Sequence, residues 1–339
     1  MKIKLLSVIR KVPYKTYFSM SFAFAVLTFL AWGGYPYIEL VEVSTFAGAV
    51  NTVVNFIPWI PDWLYKLRFV VSALLVLLLA GPLFKHVLRE KVLLIKHHSF
   101  ANQLAGYNMR LFQPYKLTNV DIKLDDKIFN IEKALRYQDD EMKKILQQPF
   151  AHYFYYGIAH TPFVFCAGFL FGDECNVRLL HKKRTNDSVF DELKNMDNEN
   201  LSITRSEHAP SVSSDELLLV ICTSLEITDD DMLCFNPDSK HLLKFELASK
   251  SFDNISSYQQ MERYRNEIYH QMREKCKNYS IKTVHIVAAT SVAFTFFLGQ
   301  GISETHDPDI IIYHYENSTY PWGLRVKVNA ERSLVRVCD

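Results

Sequence analysis

The sequence has no CxxC pair, no Cys/His set at zinc spacing, no Walker A loop, no GxSxG elbow and no HExxH pair. Each absence removes a class of chemistry, because structural zinc, P-loop phosphate binding, an α/β-hydrolase nucleophile and a zincin centre all need those residues at those spacings. Unbalanced charge is missing too: 38 Lys and Arg face 37 Asp and Glu, leaving a formal charge of +1. A nearly balanced chain offers no electrostatic footprint for bulk nucleic-acid binding, so any nucleotide partner needs a local site. The six cysteines, Cys166, Cys175, Cys222, Cys234, Cys276 and Cys338, fit reduced and buried thiols in a cytosolic compartment. Gly299-Gln300-Gly301 is a lone GxG and reads as a helix end, and Asp229-Asp230-Asp231 reads as a solvated turn rather than a metal site. Triplets such as Asn278-Tyr279-Ser280 are chance matches to a glycosylation site if the domain is cytosolic.

What is present is apolar residue content of 49% at a mean hydropathy of −0.03, which places the apolar residues in particular stretches. No Asp, Glu, Lys, Arg or His occurs at positions 16–38, long enough for a helix across the hydrocarbon layer of about 30 Å. A second apolar run at 69–84 is short for a span, but Arg68 and Lys85 at its ends can snorkel and Trp63 and Tyr65 suit the headgroup level, which extends the expected span to about 66–86. A cleaved signal peptide fits less well, since no small-x-small site ends the first run and a second run follows. Lys2, Lys4, Arg10, Lys11 and Lys15 precede the first span, and Lys85, Arg89, Lys91 and Lys96 follow the second. The positive-inside rule then puts both termini in the cytoplasm, on a two-pass cytoplasmic-membrane anchor of residues 1–98. The uncharged stretch 43–60 between them carries Asn51, Asn55, Pro58 and Trp59 and is followed by Pro61, and it reads as re-entrant or interfacial rather than a third span.

Residues 99–339 alternate in period, which predicts an α/β domain with a largely parallel sheet in each of two halves. A strand at 116–124, a helix at 128–147, a strand at 152–159, an apolar helix at 162–171 and a strand at 177–182 form the first half, about 115–184. The second, about 215–330, repeats the order with a helix at 258–276, a strand at 281–288, an apolar helix at 291–298 and a strand at 310–315. An offset of 129 residues lays Ile158-Ala159-His160-Thr161 on Val287-Ala288-Ala289-Thr290 and Phe165 on Phe294. The Asn-, Asp- and Ser-rich stretch 185–214 reads as a flexible insertion between the halves.

Ligands of parallel sheets sit beyond the carboxyl ends of strands, where free backbone N–H groups open a helix. His160-Thr161-Pro162-Phe163 and Ala289-Thr290-Ser291 are such turns, although their hydroxyls serve equally as helix caps. Small Ala288 and Ala289 allow a planar ligand near the backbone. Tyr313, Tyr315, Tyr320 and Trp322 form an aromatic group suited to stacking on bases, or to packing. His181, Lys182, Lys183 and Arg184 end a strand with positive charge for phosphates, or for water alone. The expected site is one cleft between the halves, lined by Thr161 and Thr290.

The run from Val284 to Phe294, then Leu298-Gly299, then Ile311-Ile312-Tyr313-His314-Tyr315-Glu316, resembles the signature of SAVED domains. Tyr156-Gly157-Ile158-Ala159-His160-Thr161-Pro162 and Ala167-Gly168 are similar to the matching segment of the first half, so the resemblance covers about 115–330. It implies two fused CARF-like, Rossmann-like units that bind a cyclic di- or trinucleotide made by a nucleotidyltransferase in CBASS antiphage defence. With a two-span anchor ahead of it, the chain resembles TM-SAVED effectors. That implies self-association on ligand binding, disruption of the inner membrane, abortive infection and no enzymatic activity. Family site positions fall on His160-Thr161, Ala289-Thr290 and Tyr313, while Ser291 stands where many members carry proline. Two alternatives stay open: a membrane-tethered phosphodiesterase working through His160, Thr161 or His314, and a scaffold that binds protein through its tyrosine-rich C-terminal region.

Overall fold

The computed structural model describes residues 90–100, 106–124, 130–173, 175–182, 189–196, 201–326 and 333–336. The expected spans at 16–38 and 66–86 and the stretch 43–60 lie outside them. Among the described residues no helix is long and apolar enough to cross a membrane. The chain divides into two compact units, residues 1–90 with 113–115, and residues 91–112 with 116–339. The elements described below belong to the second.

Its first strand, β1 (Lys91–His98), carries four successive buried aliphatic residues, Val92 to Ile95. Such a run marks a central strand covered on both faces, and β1 lies between β2 (Lys116–Lys123) and β3 (His152–Ile158), parallel to each. β4 (Val177–Lys182) extends the sheet in parallel, and β5 (Phe190–Glu192) closes it antiparallel, giving the order β2-β1-β3-β4-β5. Helix α1 (Ile131–Leu146) starts where the Asn130 side chain accepts the Lys133 amide at 3.0 Å, and it buries Leu135, Gln138, Met142 and Ile145. Helix α2 (Thr161–Phe171) is apolar around nearly its whole circumference, as a helix enclosed on all sides must be.

The second sheet repeats the plan. β6 (Ile203–His208) and β7 (Glu216–Cys222) precede the short helix α3 (Asp229–Met232) and β8 (His241–Leu247). Then come α4 (Tyr258–Tyr279), β9 (Thr283–Ala289), α5 (Val292–Gln300), β10 (Asp309–Glu316), β11 (Thr319–Val326) and β12 (Ser333–Arg336), in the order β12-β11-β10-β9-β7-β8-β6. The parallel core β8-β7-β9-β10 matches β2-β1-β3-β4 strand for strand. Helix α4 opens with a capping box, Ser257 with Gln260, and α5 opens where Ser291 Oγ accepts the Phe294 amide at 3.3 Å.

The halves join through α2 and α5. A Cβ on Gly168 would fall 2.0 Å from the Phe296 carbonyl oxygen, and one on Gly299 would fall 2.1 Å from that of Phe165. Only glycine permits this backbone contact. An offset of 131 carries Phe165 onto Phe296 and Gly168 onto Gly299, so the crossing maps onto itself as a two-fold pair would. One hydrophobic core runs through the joint, from Ile95 and Phe165 to Phe296 and Ile312.

Three expectations change. The boundary at residue 98 cuts off β1, which belongs to the first sheet rather than to an anchor. The stretch 185–214 contains β5 and β6, each paired into a sheet, so it is not one flexible insertion. The repeat offset is 131, not 129: β3 starts at His152 and β9 at Thr283, and α2 starts at Thr161 and α5 at Val292. A slip of two residues keeps every strand side chain on its own face, which is why the apolar pattern did not expose it.

Candidate functional site

The carboxyl ends of β1 and β3 bring Ser99 against His160. His160 is the residue before α2 but does not cap it; instead its side chain turns to Ser99. Ser99 Oγ accepts the His160 backbone N–H at 2.8 Å and is hydrogen-bonded to His160 Nδ1, while the Ser99 amide donates to the Ile158 carbonyl at 3.3 Å. At the equivalent place in the second half, the amides of Thr223 and Ser224 donate to the Ala289 carbonyl at 3.1 and 2.9 Å.

Around His160 gather rings from both halves. Its ring centroid is 4.3 Å from Phe100, 4.5 Å from His314 at the end of β10, and 5.8 Å from Trp322 on β11. Trp322 lies 5.0 Å from His314, its cross-strand partner, and 5.8 Å from Phe163. Burial, and after it the neighbouring His160, push the His314 imidazole down to about 3, so this ring is neutral near neutral pH. The His314 Nδ1 is buried and has no hydrogen-bond partner among the described residues. Beneath the cluster, His97 bonds through Nδ1 to the Tyr155 hydroxyl at 2.7 Å; burial and then His98 bring its pKa to about 3 as well. His98 pairs through Nε2 with Asp121 at 2.7 Å. The arrangement is an aromatic, largely uncharged rim with a few polar edges, suited to hold flat rings and to form directed hydrogen bonds.

Of the expected ligand residues, the structure brings together His160, Phe163 and Trp322. Pro162 is buried in the first turn of α2, where its lack of an N–H costs nothing, and Thr161 begins that helix half-exposed. Thr290 and Ser291 are occupied by α5: the Thr290 hydroxyl meets that of Thr295 at 2.6 Å, and Ser291 is the cap. Thr161 and Thr290 are not equivalents, since at the true offset His160 matches Ser291. Ala289 is half-buried and contributes its carbonyl to the turn after β7. Lys182 ends β4, beside β3, and pairs with Phe190; Lys183 lies outside the described residues.

The tyrosine group is divided by the sheet. Side chains alternate along β10, so His314 and its partner Trp322 face α2 while Tyr313 and Tyr315 face the other way. An irregularity in the β10–β11 pairing between His314 and Glu316 lets Tyr320 join the tyrosines although it is only two residues from Trp322. Tyr313 is buried there, its hydroxyl 2.8 Å from His285 Nδ1 and its ring 4.8 Å from Phe235. Tyr315 donates to Asp231 at 3.0 Å. Tyr313 and Tyr315 therefore pack and bond on the outer face, away from His160. Nor do Thr161 and Thr290 line either of two open hollows, of about 740 and 1260 Å³, which lie at the far ends of α2 and α5 around Arg265 and Gln300.

The sequence reading misses His97 and His98, which it places in the anchor, and Ser99 and Phe100, which follow the strand it does not recognise. Four buried-type aliphatics between Lys91 and Lys96 were the available signal, of strand length and far short of a span.

The chain matches the family model of the SMODS-associated and fused to various effectors sensor domain (SAVED) over residues 136–326. The match opens inside α1, so β1 and β2 stand upstream of it. No curated protein matches. Among solved structures, the chain is similar to the Acinetobacter baumannii Cap4 SAVED/CARF-domain containing receptor with the cyclic trinucleotide 3'3'3'-cAAA, at 13% identity and a TM-score of 0.48. That alignment covers 84% of this chain and 66% of the receptor, so the chain spans just under two thirds of its length. The Moraxella osloensis Cap4 receptor is similar at 12% identity and a TM-score of 0.42, over 86% of this chain and 62% of that one. With the family model matched over more than half of its residues, the chain belongs to the SAVED family of sensor domains.

Proposed function

We propose that the protein is a membrane-anchored receptor for a cyclic oligonucleotide, acting in CBASS antiphage defence. The observation that carries this reading is the ring cluster of Phe100, His160, Phe163, His314 and Trp322, at strand carboxyl ends and supplied by both halves. A cyclic oligonucleotide offers flat bases to stack and phosphates and ring nitrogens to bond, which matches that chemistry. The Acinetobacter baumannii Cap4 receptor was solved with cyclic trinucleotides, which favours a ligand of that class for this chain.

In this reading residues 16–38 and 66–86 hold the chain in the inner membrane, with both termini in the cytoplasm. With no charged residue inside the apolar stretches 16–38 and 69–84, the two spans of one copy supply no ion path, so bilayer disruption requires several copies side by side. The ligand drives that association by binding the assembled state better than the single chain. The protein acts as a receptor without turnover.

A thermal-shift screen of cyclic di- and trinucleotides against the full chain tests the reading. Ligand at a hundred times its Kd stabilises by about 2.7 kcal/mol, and a set of cyclic nucleotides that leaves the midpoint unmoved sinks it. Recovery of intact cyclic nucleotide after long incubation separates a receptor from a phosphodiesterase. Dye release from vesicles carrying the protein, on adding the ligand that binds, tests membrane disruption.

A further inference from the structure

Arg265 lines both hollows at the far ends of α2 and α5, and among the described residues its guanidinium has no ion pair and no hydrogen bond. The polar groups around it are spent on the helix ends. Arg273 donates to the Gly301 carbonyl at 2.9 Å and pairs with Asp307, the Tyr269 hydroxyl donates to the Leu298 carbonyl at 2.6 Å, and Gln300 Nε2 donates to the Gly172 carbonyl at 2.7 Å. Arg265 instead stands 4.1 Å over the centroid of the Phe297 ring, and a Cβ added to Gly301 would fall 2.7 Å from its Cδ, so the stem is fixed as well. The ring covers one face of the guanidinium, while the N–H groups lie in its plane and stay open. Arg265 is half-buried, and burial presses its pKa below the ordinary arginine value, so its charge is held at a cost that an anion relieves.

The smaller hollow, of about 740 Å³, has the size that small ligands occupy. Its described lining is balanced in charge, with Arg178, Lys194 and Arg265 against Asp173, Asp191 and Glu192. Glu192 faces Arg178 at 3.7 Å, and Asp173 is felt across the hollow but makes no ion pair with Arg265. A carboxylate fits the open edge of a guanidinium with two parallel N–H···O bonds. A doubly charged phosphate brings a second charge that balanced walls do not neutralise and that the three carboxylates repel. We propose that this hollow is a second ligand site, which takes a small organic molecule with a single carboxylate, held on Arg265 with its apolar body against Val177 and Tyr258. The site lies at the other end of α2 from His160, about 16 Å of helix away, and neither needs nor excludes a cyclic nucleotide at the rim.

The test uses the full chain, with benzoate, acetate and inorganic phosphate as probes. Arg265 is expected to react with phenylglyoxal in the free protein, and benzoate to slow that reaction, as read by mass spectrometry of the peptide that carries it. Acetate, which has no ring to lie against the walls, is expected to protect less, and phosphate at the same concentration least. In calorimetry Arg265→Gln is expected to weaken benzoate binding by about tenfold or more, the worth of a charge-assisted hydrogen bond. Arg265→Lys keeps the charge without the fork and is expected to recover only part of that loss. An Arg265 that does not react in the free protein, or that neither carboxylate protects, overturns the proposal without reference to any variant's folding. So does equal benzoate affinity in Arg265→Gln, and protection by phosphate as strong as by benzoate overturns the single-charge assignment. Binding of 3'3'3'-cAAA is read separately by thermal shift, so the failure of one site leaves the other standing.

Discussion

Burial holds His97 and His314 neutral, and that has a measurable cost in acid. His97 and His314 are pushed from an ordinary 6.5 to about 3. Between those values the unfolded chain binds protons that the folded chain does not, so stability rises with pH there and is lost as pH falls from about 6.5 towards 3. The melting temperature is expected to drop between pH 7 and pH 5 as a consequence. His97→Gln, which leaves a neutral partner for the Tyr155 hydroxyl, flattens that slope; an unchanged slope means His97 is not burdened in this way. At the ligand rim, Trp322→Ala is expected to weaken cyclic-nucleotide binding by about 1–3 kcal/mol, the worth of one stacked base, as read by titration calorimetry. Tyr315→Phe removes only a bond to Asp231 on the outer face and is expected to leave binding unchanged. His160, Phe163 and Trp322 were legible in the sequence because strand-end turns and aromatic residues are local signals. The facing of Tyr313 and Tyr315 was not: which side of a sheet a residue takes depends on the register of its neighbours, and aromatics on both faces look alike in sequence.

Among the elements, α2 and α5 carry the most specific packing. Their glycines sit where any side chain would enter a backbone carbonyl, whereas a Cβ added to Gly106 would meet nothing within 4 Å. Gly168→Ala and Gly299→Ala are each expected to destabilise by about 1–3 kcal/mol or more, as overpacking does, and Gly106→Ala by about zero. Urea midpoints measure all three, and a Gly168→Ala protein as stable as the wild type refutes the close crossing. Most helices and strands could be read from period and caps, with bounds within a few residues: 177–182 coincides with β4, and the helix opening at 258 starts with the capping serine at Ser257. Strand β1 was lost because a short apolar run beside an apolar, basic segment is ambiguous without its partners. β5 and β6 were lost because polar edge strands lack the alternation that marks a buried face.

For the molecule as a whole, the position of β1 decides where the fold begins. A fragment starting at residue 99 lacks the strand between β2 and β3 and is expected to show no cooperative unfolding, while one starting at residue 90 is expected to unfold in a single transition. Scanning calorimetry separates the two, and cooperative melting of the shorter fragment refutes the central place of β1. The welded joint between the halves sets how such a body can answer a bound molecule. Jaws need a pivot, and here two helix backbones touch with no side chain between them to slide or give. Under the proposed receptor function, a captured ligand would therefore alter the outline that the rim offers to a next copy, and the message would pass by stacking one stiff block on another.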